Sequence, residues 1–545
     1  MNSLLERALG SVKTALSSLW KAPNINIFNH YHNMKFEGKN YINGAWLSAA
    51  GETYDNVNPA TGKSLGEFPL TDEETVKRAV ASARETFHKW RKVSRFVRSD
   101  YMYKVAQIIE RRREELATVI SLETGKNFNE SIAEVNEALH MAQFAFGSGR
   151  LSHGEAVSSE VEDKDAYMLR KPKGVISIIS PFNFPLAIGA YWCAAPAIVE
   201  GNTVVIKPSE DAPMSTQLAV EIYEEAGLPH GVVSLVHGGA STGDALARGD
   251  VDHICFTGSA QVGQHIRKVA AESWHKTTSC EMGSKSACIV FDDVEIPLAL
   301  EATIASAFKL SGQRCVSSSR ILVQRTIYQD FVNRFADRAS RLKTGNPFKK
   351  SLGTTGTPDA ICWEDYTPDE DVYYGPIINK QGFEKVKRYN DYVLADDRAE
   401  ILLEPSYEDI NDRAFFSTPM VYKTEWNGVD APYLRDEVFG PHVAIIPFDT
   451  LEDAINIYND TDYGLAVGVL TNDFRKARIL RDECEAGMIY WNGGSIAAES
   501  HLSFGGVKKS GNGFPSAAKT FRAVTHEVSW TVNHADKLTF PQGMK

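Results

Sequence analysis

Three short segments of this sequence contain side chains that together could activate a carbonyl carbon. The turn Ser311-Gly-Gln-Arg-Cys315 ends in a thiol, and a thiolate is a strong nucleophile toward carbonyl carbon. Glu281 stands just before Gly283, where a carboxylate can swing and take a proton from water. Asn183 follows a buried apolar run, and its amide can donate to a developing oxyanion. Each also has an ordinary explanation, as a structural cysteine, a surface carboxylate and a turn former.

Two further turns are typical of cofactor sites. They consist of Val205-Ile-Lys207-Pro-Ser-Glu210 and Cys255-Phe-Thr-Gly258-Ser259, the latter continuing to Gly263. Each follows a predicted parallel strand, and ligands bind at that edge of such sheets. The second turn opens a predicted helix, whose free N–H groups can hold a phosphate.

The elements that must position these residues form an alternating pattern. Between residues 174 and 291, short β-branched runs alternate with helical stretches, which predicts a parallel, doubly wound sheet. The predicted strands are residues 175–180, 203–206, 232–236, 253–256 and 287–291. Residues 74–147 predict outer-layer helices over 75–90 and 98–124, and residues 297–491 predict a second α/β region.

The C-terminal region predicts a lone strand over residues 522–532, with no hairpin partner next to it in sequence. An unpaired edge strand is a liability for a monomer. We therefore expect it to add to a sheet elsewhere, such as one on another subunit, and we expect a homodimer or homotetramer.

In this order, the motifs resemble the aldehyde dehydrogenase superfamily over essentially residues 41–532. The 34 residues from Glu281 to Cys315 match the spacing of that family. Glu437-Val-Phe-Gly-Pro441 is similar to its Glu-x-Phe-Gly-Pro segment, and Phe504-Gly-Gly-Val-Lys-Lys-Ser-Gly511 is similar to its Phe-Gly-Gly-x-Lys-x-Ser-Gly loop.

The resemblance implies a role for each matching residue. Cys315 would be the nucleophile, Glu281 the general base, and Asn183, with the Cys315 N–H, the oxyanion hole. The cofactor contacts would be Lys207 and Glu210 at the adenosine ribose, Ser259 at the pyrophosphate, and Glu437 and Phe439 at the nicotinamide ribose and ring. Because Glu210 would repel a 2′-phosphate, NAD is expected rather than NADP.

The resemblance also implies the domain organisation of the α/β fold. Residues 35–148 and 174–282 would form a Rossmann-like NAD-binding domain, and residues 283–505 an α/β catalytic domain. Residues 149–173 and 506–545 would form a β oligomerisation arm with the C-terminal tail. Residues 1–34 would be an N-terminal extension.

The sequence departs from the family pattern in three places. Met282-Gly-Ser284 stands where Leu-Gly-Gly is frequent, and Ser503 stands where a proline commonly precedes Phe-Gly-Gly. The polar loop between Pro347 and Gly375, an insertion over 348–374, is longer than expected for the family, and loops of this length are usually functional. None of these departures removes a reacting group.

The substrate is the least determined feature. Arg314, beside the nucleophile, can hold a substrate carboxylate, and the backbone at Gly494 and Ser495 can donate to the same group. Alternatively, Arg314 faces away and pairs with a nearby acid. Glu281-Met-Gly283 and the 510–516 segment resemble succinylglutamate-semialdehyde enzymes, and Phe540-Pro-Gln-Gly-Met544 resembles aminoadipate-semialdehyde enzymes. An acid semialdehyde is the hypothesis that follows.

Bulk properties exclude several classes of protein. A net charge of -12 argues against nucleic-acid binding, which needs a cationic surface. The longest apolar stretch, 185–199, is too short to span a membrane and contains Pro196. The seven cysteines form no CxxC pair and no zinc-type cluster, so we expect no metal and a reducing compartment.

Two questions stay open at this stage. The amphipathic, weakly basic residues before Met34 are a mitochondrial transit peptide, a docking helix or an extension of a shorter protein, so a cytoplasmic or matrix location is expected. The alternatives to a hydrolytic dehydrogenase are a CoA-acylating semialdehyde dehydrogenase, whose members lack the glutamate, and a catalytically silent homologue. The presence of Glu281 favours hydrolysis.

Overall fold

The computed structural model describes residues 36–349, 366–426, 428–513 and 516–537. The N-terminal extension, most of the 348–374 insertion and the 540–544 motif lie outside the described residues. Within the described ranges, no helix is both long enough and apolar enough to cross a bilayer. The α-helices are α1 Glu73–Trp90, α2 Arg95–Arg111, α3 Arg113–Thr124, α4 Phe128–Ser148, α5 Ala194–Glu200, α6 Met214–Glu225, α7 Ala240–Arg248, α8 Ala260–Ala271, α9 Ile296–Phe308, α10 Tyr328–Ser340, α11 Lys380–Leu394, α12 Pro432–Arg435, α13 Leu451–Asn459, α14 Phe474–Glu483 and α15 Thr520–Ala523.

The strands, numbered in chain order, range from two to nine residues. They are β1 Phe36–Glu37, β2 Asn40–Ile42, β3 Ala45–Leu47, β4 Thr53–Val57, β5 Ser64–Pro69, β6 Gly154–Val157, β7 Lys164–Pro172, β8 Val175–Ile179, β9 Thr203–Lys207, β10 Val233–Leu235, β11 His253–Thr257, β12 Thr277–Glu281, β13 Ala287–Val290, β14 Arg320–Gln324, β15 Phe348–Lys349, β16 Thr367–Pro368, β17 Glu400–Leu403, β18 Tyr407–Ile410, β19 Ala414–Ser417, β20 Met420–Lys423, β21 His442–Phe448, β22 Tyr463–Gly464, β23 Ala466–Leu470, β24 Met488–Trp491, β25 Ser503–Phe504, β26 Val507–Lys508, β27 Gly511–Asn512, β28 Ser516–Ala517 and β29 Thr525–Asn533.

Two large sheets form the body of the protein and confirm the predicted α/β class. The first has the order β27-β12-β11-β8-β9-β10-β2-β3, with five central parallel strands. The second has the order β17-β20-β21-β14-β13-β23-β24 and is parallel except at β17. All five residues of β8 and of β9 are buried, as expected for parallel strands covered by helices on both faces.

Alternate residues of single strands supply different cores. In β8, Ile176 and Ile178 enter one apolar cluster, whereas Val175 and Ile179 enter another on the opposite face of the sheet. This two-residue period fixes the register, because a slip by one residue would move each side chain into the apolar cluster on the opposite face of the sheet. A helical period does the same for α1, where Val76, Ala79, Val80, Ala83 and Phe87 are buried along one side.

The structure corrects two predictions about elements. The run at 287–291 belongs to the second sheet as β13, because the chain crosses between the sheets after Glu281. Both sheets share the same apolar pattern, so the sequence pattern does not mark the crossing. The predicted helix over 98–124 is two helices, since the Arg112 backbone leaves helical geometry and its guanidinium pairs with Glu115.

The C-terminal strand adds to a sheet elsewhere, as predicted, and that sheet lies within its own chain. Strand β29 pairs antiparallel with β7 along nine residues, from Thr525 opposite Pro172 to Asn533 opposite Lys164. Strand β6 completes this three-stranded sheet in the order β29-β7-β6. Partners so distant along the chain leave no local sequence signal for their pairing.

Candidate active site

The candidate site lies where the strand order of the first sheet reverses. Strands β9 and β10 follow β8 on one side, whereas β11 and β12 lie on its other side. The carboxyl ends of β8, β11 and β12 therefore border one crevice, the usual ligand position in such sheets. Asn183 follows β8, Ser259 follows β11, and Glu281 is the last residue of β12.

Cys315 lies in a constrained turn between α9 and β14. Three consecutive residues before it, Leu310, Ser311 and Gly312, have left-handed φ angles of 52°, 55° and 70°. Only glycine fits at the third, because a Cβ there would lie 2.1 Å from the carbonyl oxygen of Gly440. Non-glycine residues in this region cost of order 1–3 kcal/mol each, so surrounding contacts must hold the turn.

Helix α4 supplies some of those contacts through Glu130. One carboxylate oxygen accepts from Nη2 of Arg314 at 2.7 Å, and the other accepts from the N–H of Leu310 at 3.4 Å. Both side chains of the ion pair are largely buried. Glu130 therefore anchors the turn at residues on both sides of Gly312.

One turn further along α4, Glu134 holds the segment after Asn183. Its Oε1 accepts from the N–H groups of Leu186 at 2.8 Å and Ala187 at 3.1 Å. Its Oε2 pairs with Lys126, and both side chains of this pair are completely buried. The Lys126 ammonium lies 3.8 Å from the centroid of the Phe184 ring. Since residues four apart share one helix face, a single helix anchors both loops.

Asn183 connects the two loops directly. Its side chain is buried, and Nδ2 donates to the carbonyl oxygen of Gln313 at 2.9 Å. An amide NH₂ group carries a second hydrogen, which is available to a further acceptor. The arrangement fits an oxyanion donor whose orientation is fixed by the nucleophile's own turn.

Glu281 differs from these carboxylates, because it is buried without support. Neither carboxylate oxygen has a hydrogen-bond partner among the described residues. Burial raises the pKa of Glu281 well above its ordinary value. Burial, followed by the charges of Glu281 and Glu437, likewise raises the pKa of the Cys315 thiol. The three groups thus interact electrostatically at one place.

The segment with Glu437 and Phe439 approaches from the second sheet. Glu437 is half-buried, and its Oε1 accepts from the N–H of Ser284 at 2.8 Å. Phe439 has a left-handed φ of 61° and packs edge-on against Phe182, 6.0 Å away. The Lys285 ammonium donates to two carbonyl oxygens just before this segment, and its burial lowers its pKa to about 7.

Lys207 and Glu210 lie together at the end of β9. The Lys207 ammonium donates to the carbonyl oxygen of Pro208 at 2.6 Å and is 3.7 Å from the Glu210 carboxylate. Lys207 is buried, whereas the Glu210 side chain is half exposed. A Cβ added at Gly239 would lie 3.7 Å from Glu210 Oε1, which is an ordinary van der Waals distance.

The glycines of the predicted phosphate turn make contacts within the protein. The Gly258 N–H donates to the carbonyl oxygen of Glu281, and the Gly263 N–H donates to that of Ser259 within α8. A Cβ at Gly263 would lie 2.4 Å from the Met282 sulfur. Ser259 is the N-cap of α8, where its Oγ accepts from Val262 at 3.3 Å. The phosphate-binding feature that fits is the N-terminus of α8, which borders the crevice.

The predicted substrate residues are engaged within the protein. Arg314 pairs with Glu130, which is the alternative that the sequence left open. The Ser495 N–H donates to Ser306 Oγ, and its hydroxyl donates to the carbonyl oxygen of Val316 at 2.6 Å. Its predicted donors are therefore already used. A Cβ at Gly494 would lie 2.2 Å from Ser306 Oγ, so close packing explains that glycine.

Sequence reasoning missed the residues that support the site. The i, i+4 spacing of Glu130 and Glu134 on a helix rich in buried residues was a usable signal. Ser284 was noted only as a departure from the family pattern. Tyr490 on β24 lies near enough to Cys315 that the thiol's charge, after burial, raises the tyrosine pKa; no local pattern indicates that proximity.

The sequence comparison identifies the family. The aldehyde dehydrogenase family model matches residues 46–529. The chain belongs to the aldehyde dehydrogenase family. It is 34% identical to alpha-ketoglutaric semialdehyde dehydrogenase of Bacillus subtilis over 86% of this chain and 93% of that one. It is 34% identical to a mitochondrial succinate-semialdehyde dehydrogenase of Oryza sativa, covering 87% of this chain and 85% of that one.

Solved structures agree with this family. Betaine aldehyde dehydrogenase of Staphylococcus aureus, in complex with NAD+, superposes with a TM-score of 0.84 at 29% identity. The match covers 94% of this chain and 97% of that chain. The predicted family, fold class and enzyme class are confirmed, and the protein is an aldehyde-oxidising dehydrogenase. Among the described residues, no group of three or more His, Cys, Asp or Glu side chains is placed to hold a metal ion.

Proposed function

We propose that Cys315, Asn183 and Glu281 oxidise an aldehyde to a carboxylic acid through a thioester on Cys315. The Cys315 sulfur adds to the aldehyde carbon, and the carbonyl electron pair moves to oxygen. The Asn183 amide and the Cys315 N–H stabilise that oxyanion by hydrogen bonding. The carbon then loses a hydride, and a bound oxidised nicotinamide supplies the acceptor for it.

Release of the product requires a base. Water attacks the thioester carbon, Glu281 takes the water proton, and the carbon–sulfur bond breaks to return the thiolate. The observation that carries this proposal is the Glu281 carboxylate, which is buried beside the thiol with both oxygens free of protein partners among the described residues. A structural carboxylate in that position would be expected to have donors.

The test is product analysis with an aldehyde and NAD, with and without CoA. We expect free acid in both cases, and no turnover from Cys315→Ala. An absolute requirement for CoA, with acyl-CoA as product, would support the acylating alternative. Unimpaired turnover by Cys315→Ala would overturn the role of the thiol.

NAD is the proposed cofactor. The N-terminus of α8 borders the crevice at the strand-order reversal and offers amides for a pyrophosphate. Lys207 and Glu210 would contact the adenosine ribose, and Glu437 and Phe439 the nicotinamide end. Because the half-exposed Glu210 repels a 2′-phosphate, kcat/KM with NAD should exceed that with NADP. Glu210→Gln should narrow this preference, and an NADP preference in the wild type would contradict it.

The proposed substrates are semialdehydes that carry a carboxylate. Relatives named as acting on alpha-ketoglutaric and succinate semialdehydes support this class. Arg314 adjoins the nucleophile, and its Nε has no partner among the described residues. A substrate carboxylate would share the guanidinium with Glu130.

Paired variants separate substrate binding from the turn's support. Arg314→Ala and Glu130→Gln both weaken the ion pair, but only the first removes the donor to substrate. We expect Arg314→Ala to raise KM for acid semialdehydes more than for uncharged aldehydes, and Glu130→Gln to affect both alike. Equal effects of Arg314→Ala on both aldehyde classes would exclude the acid-semialdehyde proposal.

The three-stranded sheet is the proposed oligomerisation arm of a homodimer or homotetramer. Strand β29 lies at one edge of this sheet, and two large apolar side chains, Trp530 of β29 and Val157 of β6, are exposed. Residues 35–148 with 174–282 would bind cofactor, and residues 283–505 would carry the nucleophile. Sedimentation of the wild type should give a dimer or tetramer, with Trp530→Glu shifted toward smaller species; a monomeric wild type would contradict the proposal.

A further inference from the structure

Ser284 lies where the chain crosses between the two sheets, after β12 ends at Glu281 and before β13 begins at Ala287. It replaces the second glycine of the family's Leu-Gly-Gly, so it is a property of this chain rather than of the motif. Ser284 is 4% exposed. A buried hydroxyl introduced at a glycine position needs a partner, and its partner here is the nucleophile's own backbone.

The contacts of Ser284 run to both functional halves of the site. Its hydroxyl donates to the carbonyl oxygen of Cys315. Its N–H donates to the Glu437 carboxylate at 2.8 Å. A second hydroxyl, Ser286 Oγ, lies 2.9 Å from Ser284 Oγ. The Ser284 hydroxyl has one proton, which is directed to the Cys315 carbonyl oxygen, so Ser286 is the donor in the contact between the two hydroxyls. The two hydroxyls thus form a hydrogen-bonded chain, in which the Ser286 bond strengthens the bond from Ser284 to Cys315.

The carbonyl that Ser284 holds belongs to the peptide unit between Cys315 and Val316. In a trans peptide the C=O and the N–H point in opposite directions, so fixing the oxygen also fixes the Val316 N–H. Burial and the charges of Glu281 and Glu437 raise the pKa of the Cys315 thiol, and hydrogen bonding from the N–H groups of Cys315 and Val316 acts in the opposite direction. The Ser284 hydroxyl thus constrains a donor on the far side of the peptide.

The groups facing the thiol make this donor important. Glu281 from β12, Glu437 from the segment before β21, and Tyr490 from β24 all face it. The two carboxylates oppose a negative charge on sulfur. The backbone amides of Cys315 and Val316 oppose the effect of the carboxylates and favour the thiolate.

We propose that Ser284 is a positioning residue for the nucleophile: its hydroxyl locks the Cys315–Val316 peptide so that the Val316 amide stays aimed at the sulfur. This inference rests on the role proposed for Cys315. The bond to Glu437 uses the Ser284 backbone, so removing the hydroxyl separates the two contacts.

The test is the pH profile of iodoacetamide alkylation at Cys315 in the full chain, followed by mass spectrometry of the Cys315 peptide, with Cys315→Ala as blank. Ser284→Ala should alkylate roughly tenfold more slowly at any pH below the thiol pKa, with the profile displaced to higher pH by about one unit. KM for NAD should stay within about twofold, because the Ser284 N–H is retained.

The controls distinguish the possible outcomes. Ser286→Ala leaves the Ser284 bond in place, and its profile should move by less than half as much. Ser284→Gly restores the family's residue, so it provides a second variant if Ser284→Ala folds poorly. Superimposable profiles for wild type and both Ser284 variants, or equal shifts for Ser284→Ala and Ser286→Ala, would overturn the inference. Full turnover by Cys315→Ala would instead overturn the proposed function itself.

Discussion

Glu134 and Glu281 are both fully buried carboxylates beside the same reaction centre, but their surroundings differ. Glu134 accepts from two backbone amides and pairs with Lys126. Glu281 has no partner for either oxygen among the described residues. The first anchors the loop of Asn183, and the second lies where water must be deprotonated. A carboxylate with full hydrogen bonding fixes geometry, whereas one without it can exchange a proton.

The largest expected effect comes from breaking the satisfied carboxylate. Glu134→Ala leaves Lys126 buried and unpaired and removes the acceptor for two amides, so it should reduce the free energy of unfolding by about 3–5 kcal/mol. Denaturant unfolding measures this. Glu134→Gln keeps an acceptor and should cost less. If Glu134→Ala is as stable as Glu281→Gln, the contrast between the two carboxylates is wrong.

The pH dependence of stability sharpens the same contrast. The folded-state pKa of Glu281 is raised, so the folded protein binds more protons than the unfolded chain above an ordinary pKa of 4.5. This contribution is complete below pH 4.5 and is lost as pH rises through the folded-state pKa. Glu281→Gln should therefore gain stability relative to wild type as pH rises, by up to about 1.4 kcal/mol per pH unit within that window. A difference that is constant from pH 5 to 8 would contradict the assignment.

The smallest expected effect concerns the cofactor side. Ser259 caps α8 at the proposed pyrophosphate site, so Ser259→Ala should cost about 1 kcal/mol of stability and raise KM for NAD a few-fold, with little change in kcat. Thr450→Ala removes an equivalent cap from α13, which carries no proposed site residue. It should match the stability loss and leave KM unchanged. An equal increase in KM for NAD in both variants would contradict the proposed role of Ser259 in cofactor binding.

How far the sequence predicted this molecule depends on the range of each interaction. Local patterns indicated the α/β class, the turns after β8 and β11, and the candidate thiol, amide and carboxylate. The motif order added roles that no single residue could establish. The pairing of β29 with β7, and the membership of β13 in the second sheet, depend on contacts between distant segments that local periodicity cannot encode.

The same limit applies to the surroundings of the predicted site residues. The ion pair of Arg314 depends on Glu130, which lies 184 residues away in the chain. Ser495 looked like a donor in a glycine-rich turn, but its N–H and hydroxyl are used by Ser306 and Val316. Gly263 looked like part of a phosphate turn, but Met282 occupies the space beside it. Residue type suggested the chemistry in each case, but it could not indicate these long-range contacts.

The most direct test of the role of Glu281 is a pre-steady-state measurement on Glu281→Gln, with NADH absorbance recorded at stoichiometric enzyme and Cys315 analysed by mass spectrometry. We expect about one equivalent of NADH in a rapid burst, an acyl group retained on Cys315, and a steady-state rate lowered by about 10²–10⁴-fold. A steady-state rate equal to wild type, or slow turnover with no burst and no acylated Cys315, would contradict the assignment of Glu281 as the base that hydrolyses the thioester.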